Sequence, residues 1–195
     1  MKNHVLVGKD NIIWSIRGTD FSDAGDVKND AHIAISTILK PESSKNQLNR
    51  VGKQLEFLNK DRLKETDNIY NSLRKKYPNK KIDIYGHSLG GFLTKHVLHK
   101  NKNDNNIKAY GINAAPHHSH DLMDSRYNSI RNVYDPVSVF ESKKYNKNPN
   151  ALTYYDYKDP YHSHLIDNWN SNFLDTKKLH QTLTYKFPKI IHGDL

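Results

Sequence analysis

The sequence predicts an α/β fold built on a mostly parallel sheet. Short apolar runs alternate with stretches of helical period along the whole chain. One apolar strand, Lys81 to Tyr85, runs directly into the glycine-rich turn Gly86-His87-Ser88-Leu89-Gly90-Gly91 and then into a helical run. The length, 195 residues with 35% hydrophobic residues, suits a single domain over residues 1–195 with a modest core.

The elements follow in order. Val5 to Val7 and Asn11 to Ile16 read as short strands, and Gly8-Lys9-Asp10 between them is the turn of a hairpin. From Ser43 to Tyr77 the period becomes helical, with Leu48, Val51, Leu55, Leu58, Ile69 and Leu73 spaced by threes and fours, until Pro78 stops it. Strand Lys81–Tyr85 and helix Phe92–Lys100 flank the glycine-rich turn. Ile107 to Asn113, Ile130 to Tyr134 and Thr153 to Tyr157 read as further strands. Asn101 to Asn106 and Lys143 to Asn150, low in complexity, read as exposed loops.

Composition narrows the chemistry. Thirty Lys and Arg against 21 Asp and Glu give a net charge of +9. The lysines are spread along the chain with no recognition motif beside them, so a solvated basic surface is expected and no specific nucleic acid. With no cysteine, the chain has no disulfide, no thiolate metal ligand and no thiol nucleophile. No apolar stretch approaches the roughly 20 residues of a membrane span, and Met1 to Val5 lacks the apolar run of a secretory signal. The default expectation is an intracellular, or virus-encoded, location.

The turn at 86–91 carries the chemistry. Gly86-His87-Ser88-Leu89-Gly90 fits G-x-S-x-G in the context that gives this pattern meaning, between a strand and a helix. A strained turn lifts the serine hydroxyl clear of the sheet, the glycines let strand and helix pass closely, and the helix N-terminus favours developing negative charge. The alternative is a glycine-rich turn with a serine cap. Ser88 is the candidate nucleophile.

At these residues the chain resembles the class 3, fungal triacylglycerol lipase-like, α/β-hydrolases. Ile82 to Gly91 looks like their nucleophile elbow, and Trp14-Ser15-Ile16-Arg17-Gly18-Thr19 looks like their F-R-G-T/S segment. Asp26 to Asp30 matches the ends of a following acidic segment but lacks its Trp, and Gly111 to Pro116 resembles the strand after the elbow helix. The resemblance implies an α/β-hydrolase fold with flanking helices, no cofactor, and ester hydrolysis on acyl lipids. It also implies an oxyanion hole from the backbone N–H groups of Leu89 and Thr19. Where the family carries a lid helix, this chain offers only Phe21 to Gly25, so a minimal lid and an open site are expected.

The fold places the acid and base after the serine, in the order Ser, Asp, His. Asp135 stands at the end of a predicted strand, in Asn132-Val133-Tyr134-Asp135-Pro136-Val137, which also resembles the family's N-x-x-D-x-V acid motif. Asp121 and Asp124 are competitors read as surface carboxylates. The family's closing histidine segment can be laid over His162-Ser163-His164-Leu165-Ile166-Asp167-Asn168-Trp169 in two registers, and the aromatic spacing favours His164, leaving His162 or His87 as a neighbouring or alternative base. His117-His118-Ser119-His120 reads as a substrate-side loop and not a metal site, and His96 and His99 as helix-surface residues. The function expected is a serine ester hydrolase of lipase type. Phospholipase A1 or a general carboxylesterase on the same site is the enzymatic alternative, and a catalytically silent lipid- or polyanion-binding scaffold the non-enzymatic one. The expected partners are an acyl ester or phospholipid substrate and, peripherally, an anionic membrane surface.

Overall fold

Apolar side chains at every second position give the strands their buried face, and parallel pairing gathers the carboxyl ends of the strands at one edge of the sheet. A computed structural model describes residues 3–18, 44–117, 124–135, 137–138 and 152–154. All of them belong to one compact unit, Met1–His164. The strands are β1 (Asn3–Val7), β2 (Asn11–Ile16), β3 (Lys81–His87), β4 (Ile107–Ile112), β5 (Tyr127–Asn132) and β6 (Leu152–Tyr154). They form one six-stranded sheet in chain order. Only β1 is antiparallel, paired to β2 as the expected hairpin, whose turn is closed by Gly8 N–H donating to Asn11 O at 2.8 Å. From β2 to β6 every pairing is parallel, so the carboxyl ends of five strands share one edge.

Three helices are described: α1 (Ser44–Leu58), α2 (Lys60–Lys76) and α3 (Leu89–Lys100). The core joins Ile12, Trp14 and Ile16 of β2 with Ile82 and Ile84 of β3 and Ile107 and Ala109 of β4. Val51 and Leu55 of α1, Leu63, Tyr70 and Leu73 of α2, and Phe92, Leu93 and Val97 of α3 complete it. The architecture is therefore α/β, a mostly parallel sheet with helices packed on it, as the sequence predicts. None of the described helices is long and apolar enough to cross a membrane.

Several boundaries differ from the expectation. The single helical stretch over 43–77 is two helices broken at Asn59, which is buried and turns its side-chain amide onto Leu55 O at 2.9 Å. β3 continues through Gly86 and His87, because both stay paired with Gly111 and Ile112. β5 begins at Tyr127, three residues earlier than Ile130, drawn in by its pairing with Ala109 to Ile112. β6 begins at Leu152, one residue before the expected run 153–157, whose residues 155–157 lie outside the described ones. The acidic segment 26–30 and the lid candidate 21–25 lie outside the described residues.

At the amino-terminal edge, the loop after α3 is exposed at Lys102, Asn103, Asn105 and Asn106, as expected, and is tied down at Asp104. Asp104 accepts from Tyr70 Oη at 2.6 Å and from Arg74 Nε at 2.5 Å. Arg126 Nη1 donates to Asn101 O and Asp104 O, both at 2.8 Å, while its Nη2 reaches Leu98 O at 3.2 Å and Asp124 Oδ2 at 2.6 Å. Asp124 is thus the partner of a buttressing arginine.

Candidate active site

Ser88 stands between the last residue of β3 and the first of α3. Its backbone has φ 54° and ψ −122°, a conformation that residues with a side chain rarely adopt and that costs on the order of 1–3 kcal/mol. The turn is clamped from both sides. Ser88 N–H donates to Ile112 O of β4 at 3.0 Å, and Ser88 O accepts from Gly91 N at 3.0 Å, Phe92 N at 3.3 Å and Ala115 N at 3.0 Å.

The flanking glycines are required by close passage of backbone. A Cβ at Gly86 would sit 2.3 Å from the carbonyl carbon and oxygen of Gly90, and one at Gly90 would sit 2.3 Å from Ile16 O. A Cβ at Gly91 would meet that of Ala114 at 2.4 Å. Strand, elbow and helix thus pack at distances that only glycine permits. The outcome is the geometry expected for a G-x-S-x-G nucleophile turn, with Ser88 at the N-terminus of α3, where the helix dipole favours negative charge.

The expected oxyanion segment lies beside it. Gly18 follows the end of β2, and a Cβ there would lie 2.6 Å from His87 O and 3.4 Å from Ser88 Cβ. Leu89 is buried as the first residue of α3, so its amide is one of the first-turn N–H groups that no carbonyl of the helix itself can accept. Thr19 lies outside the described residues. Arg62 of α2 fixes the end of the β2 segment, its Nη2 donating to Arg17 O at 2.7 Å.

Asp135 follows β5 at the same carboxyl edge of the sheet and is almost wholly buried, 1% exposed. Its Oδ1 accepts from Val137 N at 3.0 Å and its Oδ2 from Ser138 N at 3.1 Å, so both oxygens are held by backbone. Two asparagines hold this loop, Asn132 at the start of the N-x-x-D-x-V segment and Asn113 at the end of the strand predicted over 107–113. Asn113, buried with φ 43°, accepts the Asn132 N–H on its Oδ1 at 2.7 Å. Asn132 in turn accepts Tyr134 N–H on its Oδ1 at 3.1 Å and Asp135 N–H on its carbonyl at 3.2 Å. Asn113 is legible only as a strand end, because its role depends on Asn132, 19 residues on at the end of the neighbouring strand.

His162 and His164 lie outside the described residues. His87 ends β3, half-buried. The other histidines depart from expectation. His117 is buried, 2% exposed, with its ring centroid 5.0 Å from that of Phe92, 6.1 Å from His96 and 5.8 Å from His99. So His96 and His99 are half-buried residues of α3, and His117, in the loop after β4, is buried against them. His96 Nε2 lies 3.1 Å from Asp67 Oδ1, and burial, partly opposed by Asp67, lowers its pKa. His118 and His120 lie outside the described residues. No group of three or more His, Cys, Asp or Glu among the described residues is placed to hold a metal ion.

Beneath the elbow, Tyr85 and Tyr110 stack on neighbouring strands at 4.6 Å between ring centroids. Burial, reinforced by the nearby Asp83 carboxylate, pushes the Tyr110 hydroxyl up to about 12, and burial raises Asp83 itself. In both groups burial favours the neutral form.

A family model for the PGAP1-like alpha/beta domain matches residues 35–174, a span that contains the Ser88 elbow, Asp135, His162 and His164. No curated protein and no solved structure matches the chain. With the match covering most of the sequence and the sheet and elbow described above, the chain belongs to the PGAP1-like alpha/beta domain family, of α/β-hydrolase type.

Proposed function

We propose that the protein is a serine ester hydrolase of lipase type, cleaving carboxylic esters of acyl lipids. The observation that carries this reading is the backbone of Ser88, held at φ 54° between strand and helix by glycines that admit no side chain. Nothing in packing alone rewards such a strained serine. The buried, doubly hydrogen-bonded carboxylate of Asp135 at the same sheet edge supports it.

In this mechanism Ser88 Oγ attacks the ester carbonyl while His164 takes its proton. His164 then returns the proton to the leaving alcohol, and Asp135 holds the imidazole in the productive tautomer. The N–H groups of Leu89 and Thr19 receive the oxyanion, and water releases the acyl group from Ser88 as a fatty acid. The likeness to class 3 lipases belongs to this proposal, as do the choice of His164 over His162 and the open site.

The test is hydrolysis of p-nitrophenyl esters of graded chain length by the native chain and by Ser88→Ala. Turnover is expected to fall by about 10⁶-fold in the variant with its fold intact, and fluorophosphonate labelling to vanish with it. Turnover by Ser88→Ala equal to that of the native chain would refute the assignment. The chain-length profile separates a lipase from a carboxylesterase.

A further inference from the structure

Where α1 meets α2, the surface carries two large apolar side chains that the core does not use. Phe57 is 67% exposed and Leu58 47% exposed, adjacent in sequence at the last turn of α1. Isolated apolar residues on a surface are ordinary, but an adjacent pair ringed by cations is a pattern with a partner. Arg50, Lys53 and Phe57 recur at spacings of three and four, which places them on one stripe of α1. Lys60 and Lys64 continue the basic rim on α2, all of them exposed, and Lys60 Nζ stands 4.3 Å from the centre of the Phe57 ring. Beside the pair runs a groove of about 560 Å³ that Lys53, Phe57, Lys60 and Lys64 line together with the acidic Glu56 and Asp67.

The acidic groups nearby do not cancel this rim. Asp67 is held by His96 at 3.1 Å and by Lys100, and Glu56 and Asp61 remain against Arg50, Lys53, Lys60 and Lys64. The corner also has a defined place in the fold. α2 begins at it, and Arg62, in the first turn of α2, donates to Arg17 O at 2.7 Å and Gly18 O at 3.4 Å. Gly18 abuts His87 and Ser88. The apolar pair and its lysines therefore stand at the same edge of the sheet as the nucleophile turn.

We infer that this corner, Phe57 and Leu58 set among Arg50, Lys53, Lys60 and Lys64, is the surface by which the domain docks onto an anionic lipid bilayer. The ring and the leucine enter the headgroup boundary while the basic side chains meet the anionic headgroups. The inference rests on the lipid-ester reading for its purpose, since docking there brings acyl esters to the edge that holds Ser88.

The experiment is cosedimentation of the full chain with phosphatidylcholine vesicles, with and without phosphatidylserine. Three proteins are compared: the native chain, Phe57→Ser with Leu58→Ser, and Lys53→Glu with Lys60→Glu. Turnover of a soluble p-nitrophenyl ester and the sedimentation coefficient in solution are measured alongside. The native chain is expected to bind the phosphatidylserine vesicles, to release them as salt rises, and to ignore phosphatidylcholine alone. Both variants are expected to bind roughly tenfold or more weakly while soluble-ester turnover holds. Native protein that fails to bind, or variants that bind as it does, would overturn the inference. So would a corner whose substitution changes only self-association, because the occupant would then be a second copy. Patch-dependent binding without any turnover of soluble ester would leave the docking surface standing and remove the hydrolase reading.

Discussion

Gly86 is the residue at which the elbow is most exposed to a single change. A methyl group there would lie 2.3 Å from the Gly90 backbone, which has no flexible end to move aside. Gly86→Ala must therefore push α3 off β3 or break the pairing of Gly86 with Gly111. Overpacking of this kind costs roughly 3 kcal/mol or more, and it should appear as a lower urea midpoint together with lost fluorophosphonate labelling. An unchanged midpoint would mean that the strand and helix are not packed as closely as described. The sequence discloses this residue because its contact is local: Gly86, Ser88 and Gly90 lie within five positions, and the spacing alone demands the close passage. Asn113 and Asn132 are of comparable structural weight yet were not legible. Their bond links residues 19 apart, across neighbouring strands, and no local pattern encodes it.

Among the elements, the connection between α3 and β4 depends on a side chain from the start of β5. Arg126 satisfies three carbonyl oxygens, at Leu98, Asn101 and Asp104, and its own charge is met by Asp124. The hydrogen bond to Asp124, outweighing partial burial, raises the Arg126 pKa, so the group stays charged throughout the working range. Arg126→Ala removes the guanidinium from those carbonyls and from Asp124, which keeps only the backbone N–H of residue 126, at a cost of about 2–4 kcal/mol by thermal or urea unfolding. The loss lies at the amino-terminal edge of the sheet, opposite Ser88, so labelling of the folded fraction by a fluorophosphonate should be retained. Labelling that fell in step with a wholly folded population would show coupling between the two edges. Composition alone reads 101–106 as free loop, because lysine and asparagine content says nothing about an arginine 20 residues on. The same limit applies to the helices. Apolar spacing predicts helix throughout 43–77, and the break at Asn59 comes from its side-chain amide bonding Leu55 O, a competition that periodicity does not register.

For the molecule as a whole, one half-buried histidine contributes to how stability responds to acid. His96 is half-buried against α2 and the neighbouring His117, facing Asp67 and Lys100, with Glu56 on α1 and His99 on its own helix. Burial lowers its pKa below the ordinary 6.5, and Asp67 offsets part of that. In the unfolded chain the imidazole takes up a proton as pH falls through about 6.5, whereas the folded chain resists until its lower value is reached. Stability is therefore constant above that range and declines as pH falls from about 6.5 to the folded value. Asp83, raised by burial, acts in the opposite sense and gains stability as pH falls through its own folded value. Asp104 lies lower still: burial alone would raise it, but the bonds from Tyr70, Asn106 N–H and Arg74 outweigh that, so its contribution is lost only as pH falls below the usual carboxylate range. The difference between the native chain and His96→Gln isolates the histidine from both aspartates. Melting temperature followed from pH 7.5 to 5 should fall more steeply for the native chain than for the variant, and parallel curves would assign the acid sensitivity to groups other than His96.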